Sequence, residues 1–253
     1  MNHLRIFSIS LRNNLIAFGL FMAAWSVLAL FFDDYIIPSP HAVYQISGEL
    51  WNRDFAIHLY ATLHRVLLGF SGAFLLGTFL GLVSYSFRIK EYMETTLVLF
   101  EVLPGIIIGI IFLLIFGTGD PAPIALIICL TTPLVAINTA NTLLKKNLLL
   151  EQMILVSGGG KTQIIKDLYI PSLIPTLRAN ATIGMGSAVK IVVLGEFIAT
   201  ENGIGYLLNI SKIYFNMKAV FFYLVILLLL ILIFQILIGI LFTLLFQRFL
   251  YPD

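Results

Sequence analysis

Apolar residues fill this chain in long unbroken runs separated by short polar connections, instead of alternating every second position. Runs long enough to cross a bilayer, which takes roughly 20 helical residues, fall at 15–32, 60–87, 96–117, 121–140, 177–200 and 219–246. Barrel strands would alternate apolar and polar residues, and that pattern is missing. The predicted fold class is therefore an all-α integral membrane protein with about six transmembrane helices. Residues 1–253 read as one transmembrane domain, with an N-terminal anchor helix and outer loop at 1–55 and a core at 56–250. The first run follows Arg5 and Arg12 as a signal peptide would, but Phe31-Phe32-Asp33-Asp34-Tyr35 lacks small residues for cleavage, so an uncleaved anchor is expected. The last run, 219–246, carries no charge and is about 42 Å long as a helix, so it should tilt or protrude from the ~30 Å hydrocarbon core.

The cationic residues orient these spans. With the N-terminus inside, ten of the 15 Lys and Arg lie on the cytoplasmic side, among them Arg88, Lys90, Lys145, Lys146, Lys161, Lys166 and Arg178. Arg53, Lys212 and Lys218 lie opposite, and Arg65 and Lys190 fall within spans. That asymmetry predicts a multi-pass protein with both termini in the cytoplasm.

Composition narrows the function. The chain is 60% hydrophobic and 11% charged, against about 25% charged in soluble domains. A net charge of +2, with no basic stretch interleaved with aromatics, argues against a nucleic-acid partner. Cys129, the single cysteine, rules out an internal disulfide and a cysteine zinc site, and is expected to be a small buried hydrophobe. His58 and His64 are six residues apart, roughly 240° around a helix, so they do not make a metal-binding face. No nucleophile–base set or carboxylate pair appears, so the chain is not expected to be an enzyme or to hold a cofactor.

The most informative connection is the inner segment 141–176. Leu149, Met153, Ile154 and Val156 predict a short helix with an apolar face, ended by Gly158, Gly159 and Gly160. A second amphipathic stretch, 163–170, runs into Pro171 and Pro175. Two helices hinged at glycine would make a docking projection; a solvated connector fits the same pattern. Gly159-Gly160-Lys161-Thr162 resembles the end of a phosphate-binding loop, but Leu155 stands where the first glycine of that motif is needed, and no strand precedes it. Nucleotide binding is therefore not expected here.

The order of helix, Gly158, Ile170-Pro171 and Ile174-Pro175 resembles the signature loop of the membrane subunits of bacterial binding-protein-dependent ABC importers. In that family a Glu-Ala-Ala triplet precedes the glycine and a proline follows thirteen residues after it, as Pro171 follows Gly158; here the triplet positions hold Gln152-Met153-Ile154, with Glu151 one place early. The likeness is closest to the nitrate/sulfonate/taurine branch. It extends through Ile37-Pro38-Ser39-Pro40, His58, Thr62 to Arg65, Gly69, Gly72, Gly77, Gly81, Leu103-Pro104, 116–119, Gly195-Glu196 and Gly203-Ile204-Gly205. Glu101 departs from it, since the family often has a basic residue there. The resemblance implies a type I ABC importer-like fold in a bacterial inner membrane and a homodimer or pseudodimer around a central path. It also implies cytoplasmic ATPase subunits that carry ATP and Mg, and an external binding protein that delivers a small anion or vitamin precursor. Coupling to the ATPase would pass through Glu151, Gln152, Ile154, Leu155, Ser157, Gly158, Gly159, Gly160, Lys161 and Pro171.

Three charges are candidates for the translocation path: Lys190, Glu196 and Glu101. Lys190 and Glu196 are six residues apart on one span, so they do not pair; Lys190 either lines the path or meets a carboxylate of another helix, such as Glu101. Arg65, near an outer span end, is expected to snorkel to the interface. Gly77, Gly81, Gly105, Gly109, Gly184 and Gly186 mark the second, third and fifth spans as closely packed. A self-contained secondary transporter or channel is the alternative, and it would call for internal repeats and paired intramembrane charges.

Overall fold

The computed structural model describes residues 2–145 and 148–250, with side chains described at 12, 16–100, 102–145 and 148–246. Every regular element among them is helical. In chain order they are α1 (Asn2–Ala29), α2 (Pro40–Leu50), α3 (Arg53–Ser86), α4 (Lys90–Val102), α5 (Gly105–Phe116), α6 (Pro121–Leu144), α7 (Leu148–Val156) and α8 (Lys161–Ile164). A wide π turn (Ile165–Tyr169) leads into α9 (Ile170–Ala199), followed by α10 (Ile204–Ile213) and α11 (Met217–Leu250).

Local sequence explains where these elements start. Ser39 accepts the amide of Ala42 and Pro40 opens the first turn, so Ser39-Pro40 begins α2. Asn52 does the same for α3, accepting from the Phe55 amide at 2.9 Å. Trp25 donates its indole N–H to the Pro38 carbonyl at 2.9 Å and stacks on Phe221, which ties α1 to α11.

Four helical stretches are long and apolar enough to span a membrane: α3, α6, the continuous run Lys161–Ala199, and α11 as far as Phe246. The expected third span is not one straight helix. α4 and α5 meet at an 84° bend, because Leu103 and Pro104 are extended at ψ 132° and 123°. Proline forces its predecessor out of the α region and cannot donate to the turn before it. In α1 the described apolar stretch is the shorter Ile16–Ala29. The inner connection is also shorter than 141–176: α6 runs on to Leu144, and after α7 the helical run that continues into the next span begins at Lys161. Pro171 and Pro175 do not stop it. The amide of Ile170 reaches back to the Ile165 carbonyl, and that widened turn accommodates the proline that follows.

α6 is the hub. Over its most apolar window 56% of residues are buried, against 22% for α11, whose flank is left for lipid. Glycines on α3 set the distance between them. A Cβ on Gly77 would stand 2.8 Å from the Thr132 carbonyl, and one on Gly81 2.7 Å from that of Ala136. The close partner of α3 is thus α6, the fourth span, which the small-residue pattern did not indicate. Gly105 and Gly109 of α5 face Leu194 and Ile198 of α9. Phe55, Val66, Ile127, Val189, Val192, Ile204 and Tyr223 join α3, α6, α9, α10 and α11 in a shared apolar core. Cys129, expected to be buried there, is only partly covered.

Candidate functional site

At the end expected to face the cytoplasm, here called inner, α7 presents apolar side chains to the surroundings with none of its residues buried. Leu148, Leu149, Met153, Leu155 and Val156 are all more than half exposed, Val156 at 89%. An exposed apolar surface of this kind on a short helix marks a site of interaction with another molecule. Its end is fixed by glycine for two reasons. Gly158 has φ +85°, a left-handed conformation that L side chains rarely adopt. The Gly159 amide donates to the Ile154 carbonyl at 2.8 Å, and a Cβ there would stand 2.6 Å from Ile154 Cγ2. The chain then turns back along α7 into α8, anchored by the buried Ile164.

This projection is wired to two spans. The Tyr169 hydroxyl, in the π turn, donates to Glu151 Oε1 of α7 at 3.4 Å. It also lies 3.0 Å from the Tyr85 hydroxyl near the inner end of α3, their rings meeting edge-on at 89°. Of the expected docking residues, Gln152, Leu155, Ser157, Gly158, Gly160 and Lys161 are exposed; Glu151, Ile154 and Gly159 are half-buried, and Pro171 lies at the start of α9.

At the opposite end, here called outer, a buried ionic cluster ties four segments together. Arg65 of α3 is 1% exposed, where snorkelling to the interface was expected. Its Nη1 donates to Glu196 Oε1 of α9 at 2.8 Å and to the Asn202 carbonyl at 2.9 Å; its Nε donates to Asp120 Oδ1, ahead of α6, at 2.7 Å. Nη2 reaches the Asn202 side-chain oxygen as well. Glu196 is fully enclosed, also accepting from the Thr62 hydroxyl and the Gly205 amide, each at 2.8 Å. The carboxylate expected along a path is therefore held within a clamp. Gly203-Ile204-Gly205 wraps over it: a Cβ on Gly203 would collide with the carboxylate, the Gly203 amide donates to His58 Nδ1 at 3.0 Å, and that of Ile204 to Thr62 at 2.8 Å. A buried arginine–glutamate pair is sustained only when its remaining hydrogen-bonding capacity is met, which Asp120, Asn202, Thr62 and Gly205 accomplish.

Lys190 has a different setting. It is exposed on α9, nine residues and about 13 Å from the Ala199 end. Among the described residues no ion pair reaches it. A lysine at that depth is penalised by about 2.5–3.5 kcal/mol on insertion scales unless it faces water or an anion. The side chain of Glu101 lies outside the described residues. Further in, α6 and α9 are joined by Asn138 Nδ2 donating to Asn180 Oδ1 at 2.9 Å and by the Thr142 and Thr176 hydroxyls 2.8 Å apart. Beside them opens a cleft of about 420 Å³ lined by Asn138, Asn141, Thr142, Lys145, Thr176 and Asn180.

Sequence reasoning missed the clamp because its members lie up to 137 residues apart. Its one local signal is that Arg65, Glu196 and the Gly203-Ile204-Gly205 triplet all belong to the segments that carry the family resemblance.

Comparison with known proteins was consistent across sequence and structure. Residues 73–250 match the family described as "Binding-protein-dependent transport system inner membrane component". The formylaminopyrimidine transport permease of Halalkalibacterium halodurans is 28% identical over 191 residues, covering 75% of this chain and 76% of that one. The riboflavin transport permease of Chloroflexus aurantiacus is 28% identical, with 74% and 70% covered. A putative aliphatic sulfonates permease of Bacillus subtilis is 25% identical, with 70% and 62% covered. Among solved structures, an inward-facing form of the MetNI methionine ABC transporter superposes with a TM-score of 0.65 at 20% identity, covering 77% of this chain and 96% of that one. At that identity the likeness concerns the fold.

Proposed function

We infer the role of this chain from its family: it belongs to the binding-protein-dependent transport system inner membrane components, and it is the permease subunit of an ABC importer. ATP is hydrolysed on separate ATPase subunits, which hold the nucleotide and Mg. Two copies of this chain enclose the path, and an external binding protein delivers the solute to the outer loops. The assembly sits in a bacterial inner membrane with the termini of this chain in the cytoplasm, as its lysine and arginine asymmetry supports. The relatives named for formylaminopyrimidine, riboflavin and sulfonates support a small solute, either a sulfonate-like anion or a vitamin precursor.

The observation that carries the coupling role is α7, an exposed apolar helix locked at its end by glycine and linked to α3 and α9 through Tyr169. An ATPase groove that covers α7 removes that surface from water and holds it tightly. When paired ATPase subunits close on ATP, α7 moves, and Tyr169 passes the displacement to both spans. The outer clamp keeps α3, α6, α9 and the 200–205 loop together, so they rock as one body. The bent α4–α5 connection is the compliant part.

Replacing Gly159 by proline removes its hydrogen bond to Ile154, and replacing Gly158 by tryptophan strains a left-handed position. In the purified complex both variants are expected to insert normally and to lose transport-coupled ATPase activity. Full coupling in either would overturn the assignment of α7.

A further inference from the structure

We propose that the exposed face of α9 is the wall of a passage for small anions, with Lys190 as its central binding group. The inference rests on the permease reading and adds the charge class of the solute. Three lysines follow this face from one end to the other. At the outer end Lys212 of α10 holds its Nζ 4.6 Å above the ring of Phe197. Phe197 is seven residues, or two turns and about 10 Å, outward of Lys190 and on the same side of α9. Ile183, 53% exposed, lies seven residues inward on that side. Below it the face meets the cleft of about 420 Å³ with Lys145 and the amides of Asn138, Asn141 and Asn180 at its edge. That volume suits a small solute.

Among the described residues no carboxylate lines the cleft. Glu196, the nearest acid along α9, points roughly 240° away from Lys190 and is enclosed by Arg65. Lys190 therefore has a field that no described residue cancels. A neutral solute would gain little from it, whereas a sulfonate or carboxylate would exchange water for an ammonium partner at each stage.

The test needs no knowledge of the solute. In a Cys129→Ser background, Ile183→Cys places a thiol on this face of the complete protein in native membranes. Its labelling rates with an anionic methanethiosulfonate (ethylsulfonate) and a cationic one (ethyltrimethylammonium) are compared. Their ratio cancels any effect of Lys190 on the thiol's own ionisation. The expected result is a preference for the anionic reagent that falls by about tenfold with Lys190→Gln and persists with Lys190→Arg. An unreactive thiol, a ratio unchanged by Lys190→Gln, or a cationic preference with Lys190 present would overturn the proposal. The same membranes are solubilised to recover any bound ATPase. An anionic preference without an ATPase would leave the passage standing and remove the importer reading instead.

Discussion

Arg65 shows how strongly partners decide what a charged side chain does in a membrane. Five residues in from the start of the 60–87 run, it reads as an interfacial anchor. The structure buries it because Glu196, Asp120 and Asn202 converge on its guanidinium from three other segments. Removing one partner of such a pair costs about 3–5 kcal/mol, since the other is left buried and unmatched. Arg65→Met should therefore lower the melting temperature of the purified protein sharply, while Arg65→Met with Glu196→Met recovers part of the loss. A thermal-unfolding series that found the two effects additive would show that the residues do not act as a pair. Gly203→Ala belongs to the same cluster: its φ is +106° and its side would meet the Glu196 carboxylate, so it too should destabilise the protein. Conversely, the requirement for Gly158 and Gly159 was legible from sequence, because three consecutive glycines after a helical run mark a helix end wherever they occur.

Among the elements, those defined by long apolar runs were legible, and those defined by a break were legible only as a motif. Leu103-Pro104 stood out in the sequence, yet the surrounding run 96–117 reads as a single span by hydropathy alone. Proline geometry at two consecutive extended residues turned it into α4 and α5. The opposite occurred at Pro171 and Pro175, where a widened turn absorbed the missing donors and the helix continued. Spin labels at Tyr92→Cys and Leu114→Cys, both more than three-quarters exposed, measure the first case. With the bend they should lie about 20 Å apart, against about 33 Å for a straight helix. Pro104→Ala should lengthen that distance. A wild-type separation near the straight value would contradict the broken span. At the inner end, Tyr169→Phe keeps the ring packing and removes the hydroxyl shared by Glu151 and Tyr85. It is expected to reduce solute uptake per ATP hydrolysed by several-fold, and an unchanged ratio would take Tyr169 out of the relay.

For the molecule as a whole, the pattern of apolar runs points to a multi-pass membrane protein, and the resemblance of the 141–176 motif adds the permease reading. The short helix α7 and its glycine end were legible because they depend on adjacent residues. The outer clamp and the pairing of α3 with α6 were not, because they depend on residues brought together only by the fold. In the proposed mechanism the two ends divide the work: the outer cluster holds the helices in register, and the exposed inner helix receives the driving force. The most direct test of that division is a photo-crosslinking amino acid at Val156, the most exposed apolar side chain of α7, activated in native membranes and followed by mass spectrometry of the adducts. The account predicts a covalent product between this chain and an ATP-binding subunit, lost when Gly159 is replaced by proline. Adducts to lipid alone, from membranes in which the ATP-binding subunit is present, would contradict it.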